Sequence, residues 1–125
     1  MTKSALQLRL KRVYDPPDEE DGCRILIDRL WPRGLTKEQA AIHEWMKEIA
    51  PDPELRRWFG HKPERFGEFR KRYLHELAES EKKAELVQRI RKQAAEERVT
   101  LVYGAKDPVH NHGVVLLDYV WRREK

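Results

Sequence analysis

The pattern of apolar and polar positions predicts three β-strands. Leu6, Leu8 and Leu10 alternate with polar residues, a period of two that is typical of a half-buried strand, and we expect this strand to end near Tyr14. Residues 23–31 are apolar at successive positions in their middle, which favours a strand covered on both faces. Residues 99–103 are apolar and β-branched and form the third predicted strand.

Residues 15–22 connect the first two strands and are predicted to be an exposed loop. They include two prolines, which lack a backbone donor, and an acidic run that resists burial. The connection is too short to hold a crossover helix. The first two strands therefore either pair antiparallel or are not neighbours in the sheet.

Two helix start signals follow the second strand, which Pro-Arg-Gly at residues 32–34 ends. Thr36 stands three residues before Gln39, the spacing of a capping box, and predicts a short helix over residues 37–42. Asp52 precedes Pro53, where the Asp side chain can accept from first-turn amides and proline needs no amide partner. This second helix is expected to end at Gly60.

Longer helices are predicted in the second half of the chain. Pro63 opens one of them, residues 81–95 form another, and residues 113–123 form the last, while the sequence leaves open whether Ser80 separates the first two. Apolar residues recur at helical spacing and should face the core: Phe66, Phe69, Tyr73 and Leu77, then Leu86, Val87, Ile90 and Ala94.

Strands separated by long helical stretches imply parallel crossover units. At 125 residues the chain suits one domain, which we expect to span residues 1–125. We predict a three-layer type of α/β domain in which helices flank a small, mostly parallel sheet.

Composition excludes several classes of protein. Charged residues make up 38% of the chain, but the signs nearly cancel and eleven aromatic residues are present, which argues against disorder. No apolar run approaches the roughly 20 residues of a membrane span, and no signal peptide follows Met1, so a cytoplasmic protein is expected. Cys23 is the single cysteine and permits no internal disulfide; opening a strand, it is also a poor nucleophile.

The net charge of +4 raises the alternative of a basic module that binds nucleic acid. Residues 64–98 hold ten Lys or Arg against eight Asp or Glu, interleaved along predicted helices. Such interleaving is typical of a solvated surface and does not mark a basic patch. Nucleic-acid binding, or protein interaction without catalysis, is thus the alternative hypothesis.

Two charged residues, Asp28 and Arg29, interrupt the second strand, where a buried charge is costly unless it is paired. In one interpretation they point to opposite sides and each finds its own partner. In the other, Arg29 and Arg33 form an anion clamp beyond the strand end, and Lys106 after the third strand adds a third cation.

The loops at these strand ends supply the remaining candidate residues. The predicted pocket residues are Tyr14, Trp31, Gly34, Tyr103 and Asn111. Asp107 or His61 could act as an acid or base, although Asp107 and Asn111 could equally cap the last helix.

We expect neither a metal nor a cofactor. His110 and His112 lack the further ligands of a metal set, and no glycine-rich phosphate loop occurs. The leading hypothesis is a pocket for a small phosphorylated or carboxylated molecule, with catalysis on that molecule left open.

Several motifs also resemble a known family. They are Arg-Val-Tyr-Asp at residues 12–15, Asp-Arg-Leu-Trp-Pro-Arg-Gly at 28–34, Trp45 with Ile-Ala-Pro at 49–51, Leu-Arg at 55–56 with Trp-Phe at 58–59, and Ala-Lys-Asp at 105–107 with Asn111. Together they resemble the YeaO-like proteins, small bacterial proteins classed as domain of unknown function 488. The resemblance implies fold and compartment but no particular reaction.

A related branch of that family carries Cys-His-Arg after its last core strand. The matching stretch here is Asn111-His112-Gly113, so both the thiol and the arginine are missing. This departure counts against thiol chemistry.

Overall fold

The computed structural model describes residues 6–122, which form four strands and five α-helices. The strands are β1 (Leu8–Arg12), β2 (Cys23–Leu26), β3 (Glu44–Trp45) and β4 (Val99–Tyr103). The helices are α1 (Lys37–Ala40), α2 (Pro53–Phe59), α3 (Phe66–Glu79), α4 (Glu81–Glu96) and α5 (His112–Arg122). None of these helices has both the length and the apolar character needed to cross a membrane.

All four strands are parallel and lie in the order β1-β4-β2-β3. The predicted α/β class with a small parallel sheet and flanking helices is confirmed. Because β4 lies between β1 and β2, the first two strands are parallel and not adjacent. Leu101 at the centre of β4 stands opposite Leu10 on one side and Ile25 on the other.

The second strand is shorter than predicted. It ends at Leu26 instead of Trp31, because the backbone after Ile27 turns away to place Asp28 against the end of β4. The two-residue strand β3 was not predicted, since its length is too short for any periodic pattern. It pairs Glu44 and Trp45 with the end of β2.

Helix termini follow the predicted signals with four corrections. Pro63 opens a 3-10 turn over Pro63–Arg65, and α3 itself begins only at Phe66. Helix α1 has its capping box but ends at Ala40, because Ala41 takes a left-handed conformation with φ of 52°. The Asp52 side chain makes no cap and instead accepts from Lys83 Nζ at 2.9 Å. Helix α5 begins at His112, one residue before the prediction, and its predicted end at residue 123 lies outside the described residues. Ser80 separates α3 from α4 and caps the latter.

The two faces of the sheet are covered differently. Helices α2 to α5 bury the larger apolar core on one face, including the stripe Phe69, Tyr73 and Leu77 of α3. On the other face a small apolar cluster surrounds Ala40 and Val102. The remainder of that second face is polar.

A buried carboxylate organises this polar half. Asp21 is fully buried, so the prediction of an exposed loop through residue 21 is wrong at this position. Its carboxylate accepts from Arg24 Nη1 at 2.7 Å, Lys11 Nζ at 3.1 Å and Arg9 Nη2 at 3.1 Å. Thr100 Oγ1 donates to the Asp21 carbonyl at 2.7 Å. Burial is tolerated because charged donors replace the lost water.

We expect Asp21→Asn to lower the free energy of unfolding by about 3–5 kcal/mol at pH 7, since it leaves the buried Arg24 guanidinium without its counter-charge. The measurement is chemical denaturation, with Glu19→Gln as the control, because Glu19 is exposed in the same turn.

The effect of Asp21→Asn should depend on pH. Burial alone would raise the pKa of Asp21, but hydrogen bonds from Lys11, the Asp18 backbone and Arg24 hold that pKa below its ordinary value. The stabilisation is therefore complete above the unfolded pKa near 3.9 and is lost as pH falls through the lower folded pKa. A difference between parent and variant that does not shrink below about pH 4 would contradict this account.

Candidate functional site

A cleft of about 250 Å³ lies beyond the carboxyl ends of β2 and β4, the position where open parallel sheets bind ligands. It is formed by the loop after β2, the segment before α2, α2 itself and the start of α5. The lining residues include Tyr14, Asp28, Arg29, Trp31, Arg33, Arg56, Phe59, His61, Phe69, Asn111 and His112.

Arg29 lines the cleft, but most of its guanidinium is already engaged. Nη1 lies 3.6 Å from Glu48 Oε1, and Nη2 lies 3.2 Å from the Ala50 carbonyl and 3.9 Å from Asp52 Oδ1. These contacts tie the loop after β2 to the segment that enters α2. Of the two interpretations offered by the sequence, the contacts therefore match the one in which Asp28 and Arg29 each have their own partners.

Three other basic side chains lie at the mouth of the cleft. Arg33, Arg56 and His61 are all exposed lining residues. Within residues 6–122, the guanidinium groups of Arg33 and Arg56 make no hydrogen bond or ion pair. These two side chains can therefore turn toward an anion without breaking an existing contact.

Asp28 places a carboxylate on the inner side of the cleft. Its Oδ2 accepts from the Gly104 amide at 2.9 Å, and a Cβ at residue 104 would lie only 3.0 Å from that oxygen. Oδ1 is buried and has no hydrogen-bond partner among the described residues. Burial raises the pKa of Asp28, while His112, the Gly104 amide and two basic neighbours oppose the rise.

His112 stands beside Asp28 at the first residue of α5. Its Nε2 lies 2.8 Å from the Ile27 carbonyl and 3.4 Å from Asp28 Oδ1. A carbonyl can only accept, so Nε2 carries a proton that it donates to Ile27. The contact with Asp28 is therefore electrostatic and strengthens when the imidazole is protonated.

Aromatic side chains wall the cleft. The Tyr14 hydroxyl donates to the Arg33 carbonyl at 2.8 Å, which connects the end of β1 to the loop after β2. Trp31 packs edge-on against Trp45, with ring centroids 5.5 Å apart. Phe59 and Phe69 stack at 4.2 Å and close the inner side.

The structure separates the remaining predicted residues from the cleft. Lys106 is exposed and does not line it, and neither do Gly34, Tyr103 or Asp107. Asp107 instead accepts from the amides of Val109 and His110 and from the His110 ring. Hydrogen bonds from the His110 and Val109 amides lower its pKa to about 2, so this carboxylate stays ionised and is a weak base.

Asn111 does line the cleft, but its amide is used in capping. Oδ1 accepts from the Val114 amide at 3.0 Å, and Nδ2 donates to the Asp107 carbonyl at 2.7 Å. Asn111 is therefore the N-cap of α5, as one of its two interpretations predicted.

No group of three or more His, Cys, Asp or Glu side chains within residues 6–122 is arranged to hold a metal ion. The Nδ1 of His110 faces Asp107, and the Nε2 of His112 faces the Ile27 carbonyl.

The lining residues that sequence reasoning missed include Arg56, Phe59, Phe69 and His112, the last having been weighed only as a metal ligand. Phe59 and Phe69 stand at apolar positions of predicted helices, where core packing is expected, and they are 5% and 2% exposed. Their sequence positions therefore gave no sign that they also line a cleft. The Arg56 position follows from how α2 packs. A signal for His112 was available, because it begins the helix after the last strand.

Comparison with known proteins bears on this geometry. A family model described as "Inactive DUF488-N3 subclade" matches residues 7–124. The uncharacterized protein YeaO of Escherichia coli K12 is 44% identical over 115 residues, covering 92% of this chain and 97% of YeaO. This chain belongs to the DUF488 family. The uncharacterized protein Rv3073c of Mycobacterium tuberculosis H37Rv, another relative, is 42% identical over 110 residues, covering 88% of this chain and 90% of Rv3073c. No solved structure matches.

The start of α5 holds the stretch that the resemblance matches to Cys-His-Arg. The side chain of Asn111 caps the helix by accepting from the Val114 amide. At Gly113 a Cβ would lie 2.9 Å from Leu10 Cδ1 and 3.0 Å from Asn111 Oδ1. Asn111 and Gly113 are therefore both closely fitted to the local packing.

We expect Asp28→Asn to raise the free energy of unfolding at pH 7, in contrast to Asp21→Asn. The pKa of Asp28 is higher in the folded protein than in the unfolded chain, so the folded protein holds the proton more tightly. The free energy of unfolding therefore falls as pH rises from the unfolded pKa through the folded pKa, and the ionised carboxylate is destabilising at pH 7. Asparagine removes the charge but can still accept from Gly104. Denaturation at pH 7 and carboxyl NMR titration provide the measurement, and a loss of stability would count against a strained Asp28 carboxylate.

Proposed function

We propose that this DUF488 protein binds a small carboxylate or phosphate in the cleft and does so without catalysis. One observation carries the proposal: Arg33 and Arg56 line the same cleft, and neither guanidinium makes an ion pair or hydrogen bond with any residue of the described chain. Guanidinium groups bind carboxylate and phosphate oxygens bidentately and stay charged at any physiological pH.

Position and surroundings support the same reading. The cleft lies beyond the carboxyl ends of parallel strands, where α/β proteins place their ligands. His61 adds a third basic side chain at the mouth. Arg29 supports the site indirectly by fixing the segment from Glu48 to Asp52 beside it.

Two features favour binding over catalysis. The position where the related branch carries a thiol holds Asn111, whose amide donates and accepts within the helix cap. Asp107 does not reach the cleft, so neither of these residues offers a nucleophile or base to a bound molecule. The description of the subclade as inactive is consistent with this reading.

Isothermal titration calorimetry of a panel of carboxylates and phosphates tests the proposal. We expect Arg33→Ala and Arg56→Ala each to weaken binding roughly 10–100-fold, because a hydrogen bond to a charged group contributes about 1.5–3 kcal/mol. Arg57→Ala is the matched control, since Arg57 is exposed on the same helix and does not line the cleft.

Two results would overturn the proposal. One is a parent protein that binds no anion of the panel at low ionic strength. The other is equal weakening by Arg57→Ala, which would indicate attraction to overall charge, as expected for a polyanion such as RNA.

A further inference from the structure

The cleft is graded from a cationic mouth to an apolar interior. Its exposed lining residues include Arg33, Arg56 and His61. Its apolar lining residues include Leu30, which is exposed beside the mouth, and Ala50, Phe59 and Phe69, which are 1%, 5% and 2% exposed. An anionic group held by the arginines therefore leaves the rest of its molecule among apolar side chains.

The interior offers few partners to a polar molecule. The Asn111 amide is satisfied within the cap of α5, and the His112 Nε2 proton is donated to the Ile27 carbonyl. The terminal nitrogens of Arg29 contact the segment before α2. Among the described residues that line the cleft, two buried side-chain atoms lack a hydrogen-bond partner, Asp28 Oδ1 and Arg29 Nε. A body with several hydroxyl groups could pair few of them with these two atoms, and the others would lose water without gaining hydrogen bonds, which is unfavourable.

Asp28 restricts the charge of the occupant. It lies on the inner side of the cleft, and its carboxylate would repel a second anionic group placed beyond the mouth. The cavity volume of about 250 Å³ is below the range of roughly 300–1,000 Å³ that accommodates drug-sized ligands. The space suits a body about the size of one ring.

We infer that the ligand is a small organic anion with a single charged group joined to an apolar, ring-sized body. This inference rests on the proposed anion site and names the class of molecule that the site takes. It excludes sugar phosphates, polyols and dicarboxylates as preferred ligands.

Two matched pairs of probes test the inference by calorimetry. Cyclohexanecarboxylate is compared with quinate, its polyhydroxylated counterpart, and cyclohexyl phosphate is compared with inositol 1-phosphate. We expect the apolar member to bind at least tenfold more tightly in whichever pair binds. The two members of each pair share a six-membered ring and an anionic group. The difference in their affinities therefore measures the effect of the hydroxyl groups on the ring.

Two variants locate the body within the protein. Leu30 lines the cleft and is 61% exposed, whereas Val109 is 58% exposed and does not line it. Leu30→Ser should reduce the advantage of the apolar probe at least threefold, and Val109→Ser should leave it unchanged. Both positions are exposed, so neither substitution threatens the fold.

The outcomes are distinguishable. Equal affinity within a pair, or preference for the hydroxylated member, overturns the inference, while the anion site stands if Arg33→Ala still weakens binding. An advantage that survives Leu30→Ser undiminished also overturns the inference, because the body then lies elsewhere. Failure of all four probes overturns the inference, and it overturns the proposed anion site as well if the carboxylates and phosphates of the first panel also fail to bind.

Discussion

The buried ion cluster around Asp21 allows two parallel strands to be joined by a short connection. Parallel strands usually need a crossover of a dozen or more residues, but only residues 13–22 join β1 to β2. Here β1 and β2 are not neighbours, because β4 lies between them in the sheet. Asp21 then receives hydrogen bonds from Arg9 and Lys11 of β1, from Arg24 of β2 and, on its carbonyl, from Thr100 of β4. One residue thus fixes three strands at the end of the sheet opposite the cleft.

The two aspartates at opposite ends of β2 lie in contrasting environments. Every carboxylate oxygen of Asp21 has a charged donor, and its pKa is lowered. At Asp28 one oxygen is buried without a hydrogen bond, and burial raises the pKa. A satisfied charge stabilises the fold, whereas an incompletely satisfied one beside a cleft is typical of a functional position.

The sequence predicted the fold class because long helices and apolar strands have strong periodicity, as in the Phe69, Tyr73 and Leu77 stripe of α3. It could not predict β3, which is two residues long, or the burial of Asp21, which depends on donors that β1 and β2 bring together in the folded sheet. At the site, Arg33 was accessible to reasoning because it lies in the loop after β2, which the sequence already placed at the carboxyl end of the sheet. Arg56 was not, because its approach depends on packing between α2 and the loop after β2. Lys106 shows the reverse: it lies in the loop after β4, yet it does not line the cleft.

Gly113 couples three positions at the start of α5. A Cβ at this position would lie 2.9 Å from Leu10 Cδ1 and 3.0 Å from Asn111 Oδ1. Installing Cys-His-Arg at residues 111–113 would therefore require the Leu10 side chain to move, and replacing Asn111 would remove the oxygen that accepts from the Val114 amide. Engineering a thiol at this helix terminus is thus a problem of positions 10, 111 and 113 together, because the cap and the packing of β1 meet at the same glycine.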